Sequence, residues 1–248
     1  MASTTDQGHN RNATNFEKLI INCTSYGAAY NPSKASLKLE ALQNLLTAAN
    51  GSITTMNTIT ADYKNAVSAR VTAFKPIDKL ITRVGNALKS SDTSQQVDDS
   101  VKTILRKLQG RRANPKKTEE EKLAAADAGK AIVEISTTQM SYDSRLDNLD
   151  KLIKHLISVP QYNPNEEELK TTSLTALYND LKAKNLAIIN AETALSNARI
   201  ARNEVMYKEI HGLVVVAIDV KTYIKSVFGA TSPQYKAIGG INFKSQSY

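Results

Sequence analysis

The sequence has little of several residue types on which other folds depend. Its 248 residues include no tryptophan, one cysteine, six prolines and ten glycines. So few glycines and prolines argue against the many tight turns of an all-β sandwich or barrel. The single cysteine, Cys23, allows no disulfide within the chain, which fits a reducing compartment. These shortages favour a helical protein of the cell interior.

Long hydrophobic runs are also missing. The longest strongly apolar run extends from Leu213 to Ile218, whereas a membrane-spanning helix needs about 20 residues. The first fifteen residues are polar and have no apolar centre of the kind that a secretory signal peptide carries. We therefore expect a cytoplasmic protein without a transmembrane segment.

The most informative feature of the chain is an internal repeat. The segment Tyr30–Pro32 recurs as Tyr162–Pro164, an offset of 132, and several leucines and an Asn-Ala-x-x-Ala-Arg motif recur at the same offset. Further on, Val101–Arg106 matches Val220–Lys225 at an offset of 119. The first copy therefore carries about 13 extra residues, which we place around 90–100. The pattern predicts a duplication.

Each copy predicts a helix, a long helix and a further helix. The Asn-Pro pair in each copy suits the start of the long helix, as a cap followed by proline at the first helical position. Both long helices have a seven-residue apolar period, which is typical of coiled-coil-like packing. The positions that follow this period are Leu42, Ala49, Met56, Tyr63 and Arg70 in the first copy, and Leu174, Leu181, Ile188, Leu195 and Arg202 in the second. Asn50–Gly51 is a candidate break in the first long helix, and Pro76 predicts its end.

Three other segments complete the predicted fold. Apolar residues spaced by three and four from Thr118 to Val159 predict one helix of about 40 residues. The segment around Leu213–Ile218 is apolar nearly all round, which predicts a central helix of a bundle, with a buried strand as the alternative. Near the C-terminus, two glycines between Tyr235–Ile238 and Ile241–Lys244 predict a short β-hairpin, or else an extended tail along the bundle.

We therefore predict an all-α fold: an elongated antiparallel helical bundle with long coiled-coil-like helices and internally duplicated three-helix units. A polar N-terminal tail covers residues 1–14, and the first repeat unit covers 15–117. The second repeat unit, with the long connecting helix, covers 118–233, and a C-terminal tail covers 234–248. We expect the two units to pack as one bundle.

The motifs of catalysis and cofactor binding are missing from the sequence. The three histidines, His9, His155 and His211, lie far apart, and no Glu-x-x-His, His-Glu-x-x-His or Cys-x-x-Cys spacing occurs. No glycine-rich phosphate loop is present either. We predict no catalytic residue, no metal and no cofactor, and hence a protein that is not an enzyme and has no small-molecule substrate.

Positive charge is concentrated in one stretch of the chain. The net charge is +8, and residues 1–117 hold 17 Lys and Arg against 8 Asp and Glu, whereas residues 118–248 hold 15 against 16. The densest stretch contains no acidic residue and comprises Lys102, Arg106, Lys107, Arg111, Arg112, Lys116 and Lys117. This patch suits phosphates, although without an aromatic residue it does not predict base stacking. A solvated loop, paired with Glu119–Glu121 or with the acidic half of another subunit, is the alternative interpretation.

Two arginines, Arg70 and Arg202, occupy equivalent positions in register with the apolar period. Each is either an arginine at the edge of the packing, with its stem buried and its head in water, or a buried arginine that pairs with a carboxylate and fixes the register between helices. Both are candidate register residues of the bundle.

The function expected from these features is that of a non-enzymatic structural or interaction protein. We expect it to self-associate through helix faces and the C-terminal tail, as a homo-oligomer or with a protein partner. The first alternative is binding of nucleic acid or another polyanion through Lys102–Lys117. The second alternative is a helical pore-forming protein.

Overall fold

The structure is a computed structural model that describes residues 6–111, 118–127 and 140–245. Within these ranges the chain forms helices and connecting loops and no strand, which confirms the predicted all-α fold. The α-helices are α1 Asp6–Ser25, α2 Leu39–Phe74, α3 Ile77–Lys89, α4 Gln95–Leu108, α5 Glu119–Asp127, α6 Tyr142–Ile157, α7 Thr171–Tyr207, α8 Leu213–Phe228 and α9 Pro233–Gly239.

The two long helices, α2 and α7, contain 36 and 37 residues. Eight of their ten seven-residue positions are buried, and Tyr63 and Arg70 are half-buried. Asn50–Gly51 does not break α2, contrary to the possibility raised by the sequence. An exposed glycine costs a helix only about 1 kcal/mol, and the buried residues on either side hold the helix. The predicted end before Pro76 is confirmed, because α2 stops at Phe74.

The predicted start of both long helices is wrong. The helices begin at Leu39 and Thr171, eight residues beyond Asn31 and Asn163. The proline that ends each repeated segment therefore lies in a loop. A 3₁₀ turn precedes each long helix, Ala35–Leu37 in the first copy and Glu167–Leu169 in the second. The loop is favoured over the helix because the repeated tyrosine anchors it.

These tyrosine anchors are nearly identical in the two copies. The Tyr30 hydroxyl donates to the Leu37 carbonyl over 2.7 Å, and the Tyr162 hydroxyl donates to the Leu169 carbonyl over 2.8 Å. All four residues are buried. A buried carbonyl at a turn needs a donor, and here a side chain supplies it across seven residues. The recurrence of this bond at the offset of 132 gives the predicted duplication a structural counterpart.

The chain folds into two compact units, and each unit contains residues from both sequence copies. One unit consists of residues 1–64 and 190–248, and the other consists of residues 65–189. Each unit therefore combines the beginning of one copy with the end of the other copy. The spatial units divide the chain differently from the repeat units predicted over 15–117 and 118–233. We call them unit 1 and unit 2.

In unit 1, α8 lies against α1, against α9 and against the 3₁₀ turn Ala35–Leu37. The segment predicted as either a central helix or a strand is thus a helix, and its buried residues include Leu213, Val216 and Ala217. They pack with Phe16 and other residues of α1 in a single core. A helix that is apolar on most sides is accommodated here because three neighbours cover it.

In unit 2, α4 lies against α6 and α3, and α3 lies against the 3₁₀ turn Glu167–Leu169. The contacts that α8 makes alone in unit 1 are therefore divided between two helices in unit 2. The segment 90–100, where the extra residues of the first copy were placed, holds the α3–α4 turn and the start of α4. The core of this unit includes Ile81, Leu149 and Leu174.

The single 40-residue helix predicted over Thr118–Val159 is wrong in its described part. Thr118 and Glu121 form a capping box at the start of α5, with backbone-to-side-chain bonds of 3.0 and 3.3 Å. Met140 and Ser141 are not helical, and the Ser141 hydroxyl accepts from the Ser144 amide over 3.1 Å as the cap of α6. A local cap thus outweighs the continuous apolar spacing. The middle of the predicted helix, 128–139, lies outside the described residues.

The predicted C-terminal hairpin is wrong, and the alternative of an extended tail is right for its last part. Residues Tyr235–Ile238 form most of α9, which Ser232 caps by accepting from the Tyr235 amide over 3.1 Å. Residues 241–245 are extended and lie along α1. The side chain of Asn12 bonds both backbone groups of Lys244, at 2.8 and 3.0 Å. A capped proline start favours a helical turn over the hairpin.

Candidate functional site

The charged helix α4 forms a cleft with α3 in unit 2. Both helices bury an apolar side, through residues such as Ile81 and Val84 on α3 and Val101 and Leu108 on α4. The turn between the two helices, residues 90–94, is too short to separate them. Between them lies a cleft of about 480 Å³, within the range of roughly 300–1,000 Å³ that ligand pockets have. We call it the α3–α4 cleft.

Two contacts set the spacing of the helices at this cleft. A Cβ atom added to Gly85 of α3 would lie 2.5 Å from Cδ1 of Leu105 on α4, so glycine permits this close approach. One turn further along, just past the C-terminal end of α4, the Gln109 amide donates to the Thr82 hydroxyl over 2.8 Å. The helices are thus close together at Gly85 and cross-linked at Gln109, and the cleft lies along them.

Four basic side chains line the α3–α4 cleft. Lys102, Arg106 and Arg111 were predicted from the sequence, and Lys89 was not. Lys89 belongs to the last turn of α3, thirteen residues before Lys102. Only the α3–α4 hairpin brings it to the patch, so no local sequence signal identifies it. None of the four forms an ion pair within the described part of the chain, although two carboxylates line the same cleft.

The remaining predicted members of the basic patch are placed differently. Lys107 is exposed on α4 and does not line the cleft. Arg112, Lys116 and Lys117 lie outside the described residues. The structure thus brings together three of the seven predicted basic residues and adds one more.

The end of α4 directs Arg111 back to the cleft. Gly110 has a φ of +63°, a conformation that favours glycine. The Arg111 amide donates to the Arg106 carbonyl over 2.8 Å, and the Gly110 amide donates to the Lys107 carbonyl over 3.2 Å. These two bonds define a Schellman motif, in which the chain reverses over the last helical turn. Arg111 therefore returns towards Arg106.

The cleft also carries acidic and uncharged polar side chains. Asp98 and Asp99 line it beside Lys102, and the Asp98 carboxylate accepts from the Thr93 hydroxyl over 2.7 Å. Asn86 and Gln95 add amide groups that both donate and accept. The site therefore has four cations, two carboxylates and several amides around an apolar base.

A second groove in unit 2 lies between α6 and α7. Its volume is about 400 Å³, and its lining includes Tyr178, Leu186 and Ile189 on α7. Leu186 and Ile189 are 55% and 54% exposed, although they are large and apolar. Three aspartates of α6 line the same groove: Asp143, Asp147 and Asp150. We call it the α6–α7 groove.

Arg70 and Arg202, the candidate register residues, occupy different surroundings. In unit 2, Arg70 donates to the Asn185 side-chain carbonyl over 2.9 Å, and its guanidinium lies 3.9 Å from the centre of the Tyr142 ring. In unit 1, Arg202 is 7% exposed and donates to the Asn203 side chain over 3.0 Å. The bonds of Arg70 are thus to an amide and a ring.

The buried titratable groups show no catalytic arrangement among the described residues. Burial raises the pKa of the Cys23 thiol to about 11, so it stays protonated at neutral pH and is a poor nucleophile. His9, buried in unit 1, lies with Nδ1 2.7 Å from the Tyr207 hydroxyl oxygen. Across the ranges 6–111, 118–127 and 140–245, no group of three or more His, Cys, Asp or Glu residues could hold a metal ion.

Among the described helices, none combines the length and the apolar character needed to cross a membrane. Comparison of the chain with protein-family models, with curated proteins and with solved structures finds no match. The α3–α4 cleft and the α6–α7 groove are therefore the candidate functional sites of the protein.

Proposed function

We propose that this protein is a non-enzymatic interaction protein that self-associates through the α6–α7 groove of unit 2. The observation that supports this function is the exposure of Leu186 and Ile189 side by side in a concave surface. Each side chain is already nearly half buried, so covering the rest against a partner contributes about half of the roughly 1.5–3 kcal/mol of a full burial. Exposed apolar groups rimmed by polar residues are typical of protein interaction sites.

Charge complementarity favours a second copy of the chain as the partner. The groove is lined by three aspartates and one lysine, Lys182. Asp147 and Asp150 also pair with lysines one turn away on α6, whereas Asp143 forms no ion pair within the described part of the chain. The surface of α4 offers the opposite charge, with Lys102 and Lys107 exposed. A contact between two different surfaces of the same chain is heterologous, so it builds rings or filaments.

The C-terminal tail, which the sequence also suggested as a contact, is not part of this proposal. Its backbone is already bonded within unit 1, by Asn12 to Lys244 and by the Asn15 side chain to the Asn242 carbonyl over 2.7 Å. A segment whose backbone groups are satisfied within its own chain has little left to offer a partner.

The mass in solution tests self-association. Light scattering of the intact protein should give at least twice the 27.1 kDa of one chain, with the larger species favoured at low salt. Leu186→Lys should return the protein to one chain, because a lysine in the groove loses the apolar contact and repels α4. Ile218→Lys is the matched control, since Ile218 is 54% exposed on α8 of unit 1 and lies outside the groove. A wild-type protein that stays monomeric at millimolar concentration would refute the proposal.

A second candidate function is binding of nucleic acid or another polyanion at the basic patch. The observation that favours it is the convergence of Lys89, Lys102, Arg106 and Arg111 without carboxylate partners. Cations that are already paired release few counterions from a polyanion, whereas free cations release more.

A salt titration tests this second function. A short oligonucleotide should be retained at low salt and released steeply as salt is added, with a slope that falls by about 1 for each contacting cation removed. Neutralising Lys89, Lys102, Arg106 and Arg111 together should abolish retention. Unchanged retention in that variant, or no retention by the wild type at low salt, would contradict polyanion binding.

A further inference from the structure

We propose that the α3–α4 cleft binds a mononucleotide, with its phosphates on the four cations and its base on the apolar floor. This inference rests on the second candidate function, because it names the ligand of the same basic site. It differs from that function in predicting one small ligand inside the cleft instead of a strand lying across it.

The cleft has an apolar floor, which a nucleic-acid strand bound through its phosphates would leave uncontacted. Its floor is formed by Leu88 and Val101, which are 2% and 1% exposed, and by the half-buried Leu105. Non-specific binding to a strand depends on phosphate contacts along an open surface. An open cleft of about 480 Å³ with an apolar floor lies within the size range of small-molecule pockets.

The polar groups of the lining match the parts of a nucleotide. Amides of Asn86, Gln95 and Gln109 can donate to and accept from the edge of a base. Gln109 is held in place by its bond to Thr82, so its side chain is already ordered before a ligand arrives. A flat base can lie on an aliphatic floor, although without the additional stacking that an aromatic ring provides.

The two carboxylates exclude a ligand that carries only negative charge. Asp98 and Asp99 would repel phosphates near them, but a carboxylate accepts hydrogen bonds from sugar hydroxyls. Asp98 is oriented by its bond from Thr93. A ligand with hydroxyls at one end and phosphates at the other satisfies both charges of the lining, which a bare polyphosphate or a fatty acid does not.

The cations lie at both sides of the cleft, on α3 and at the end of α4. Lys102 and Arg106 are one turn apart on α4, and the Schellman motif brings Arg111 beside Arg106. Two arginines and two lysines supply enough positive charge for the two phosphates of a nucleoside diphosphate.

Calorimetry of the intact protein with ADP, adenosine and pyrophosphate tests the inference. We expect ADP to bind, and adenosine and pyrophosphate each to bind at least about tenfold more weakly, since each lacks one half of the contacts. Lys102→Ala and Arg106→Ala should each weaken ADP binding by about tenfold or more. Lys107→Ala is the matched control, because it removes a cation from the same helix outside the cleft. Thermal melts of every variant verify that it is folded.

Several results would overturn the inference. Pyrophosphate that binds as tightly as ADP would show a charge cluster without a base site. An equal loss in Lys107→Ala would show diffuse attraction instead of a cleft. Retention of the oligonucleotide without ADP binding would refute the nucleotide site and leave polyanion binding standing, whereas failure of both ligands would remove both proposals.

Discussion

The two tyrosine anchors allow a sharp test of how the duplicated fold is stabilised. Tyr30→Phe and Tyr162→Phe keep the ring and remove only the hydroxyl that bonds Leu37 or Leu169, over 2.7 and 2.8 Å. Each change leaves a buried carbonyl without its donor, which costs about 1–3 kcal/mol. Since both tyrosines are 6% exposed and make the same bond, we expect each variant to lose about 1.5 kcal/mol of unfolding free energy from that bond. The Tyr30 side chain also bonds Cys23, so Tyr30→Phe should lose at least as much as Tyr162→Phe.

The division into two units leads to a second expectation, about whether the two variants affect one unfolding transition or two. Tyr30 lies in unit 1 and Tyr162 lies in unit 2, although they are equivalent positions of the two copies. Distant sites add to within about 0.5 kcal/mol when the protein unfolds in one transition. If the units unfold separately, each variant should shift a different transition. Urea unfolding followed by circular dichroism distinguishes the two cases.

The control for this experiment is Tyr178→Phe. Tyr178 is half-buried on α7, and its hydroxyl forms no hydrogen bond within the described part of the chain. We expect a change within about 0.5 kcal/mol of zero, as for most substitutions away from special features. If the two anchor variants lose no more free energy than this control, the anchors do not stabilise the fold and our reasoning is wrong.

Two further predictions concern the end of α4 and alkaline pH. Gly110→Ala should destabilise unit 2 by about 1–2 kcal/mol, because alanine is strained at positive φ and its Cβ would lie 2.7 Å from the Met140 sulfur; an unchanged urea midpoint would contradict the Schellman assignment. Burial raises the pKa of Cys23 from 9.0 to about 11 and that of Tyr162 from 10.0 to about 12. The folded chain therefore keeps protons that the unfolded chain releases. Below pH 9 the two groups do not change the free energy of unfolding, and above it each group lowers that free energy by up to about 1.4 kcal/mol per pH unit. Melting temperatures between pH 8 and 10.5 should fall less steeply for Cys23→Ala, and an equally steep fall would contradict this origin.

Much of the helical organisation could be predicted from local sequence. The seven-residue period identified positions that are buried in both long helices, and Pro76 marked the end of α2. Periodicity reports which side of a helix is apolar, and burial follows from that directly. The predicted duplication rests on recurring residues, and the tyrosine anchors show one recurring position that makes the same bond in both copies.

The errors arose where a side-chain bond competes with periodicity or propensity. The Tyr30 and Tyr162 anchors keep the Asn-Pro segments in loops, and the Ser141 and Ser232 caps start helices where a continuous helix or a hairpin was predicted. Each of these bonds joins residues at most seven apart. They were missed because several local patterns fit the same residues, and only the packed structure selects among them.

The candidate sites required more than local pattern. The sequence predicted Lys102, Arg106 and Arg111 as a patch, because a run of basic residues without acids is visible in one dimension. Lys89 and the aliphatic floor were not predicted, since they enter through the packing of α3 on α4. The α6–α7 groove was not predicted either, because the exposure of an apolar residue depends on whether another helix packs against it in the tertiary structure.

The sequence by itself therefore determined that this protein is helical and locally basic, and that disulfides play no part within the chain, whereas the duplication stays a prediction. These properties follow from composition and periodicity, which act over a few residues. Tertiary structure alone decided that each unit joins the start of one copy to the end of the other, and that separate cations share one cleft. These outcomes depend on contacts between residues far apart in the chain, and equivalent copies offer equivalent surfaces, so the sequence permits more than one pairing.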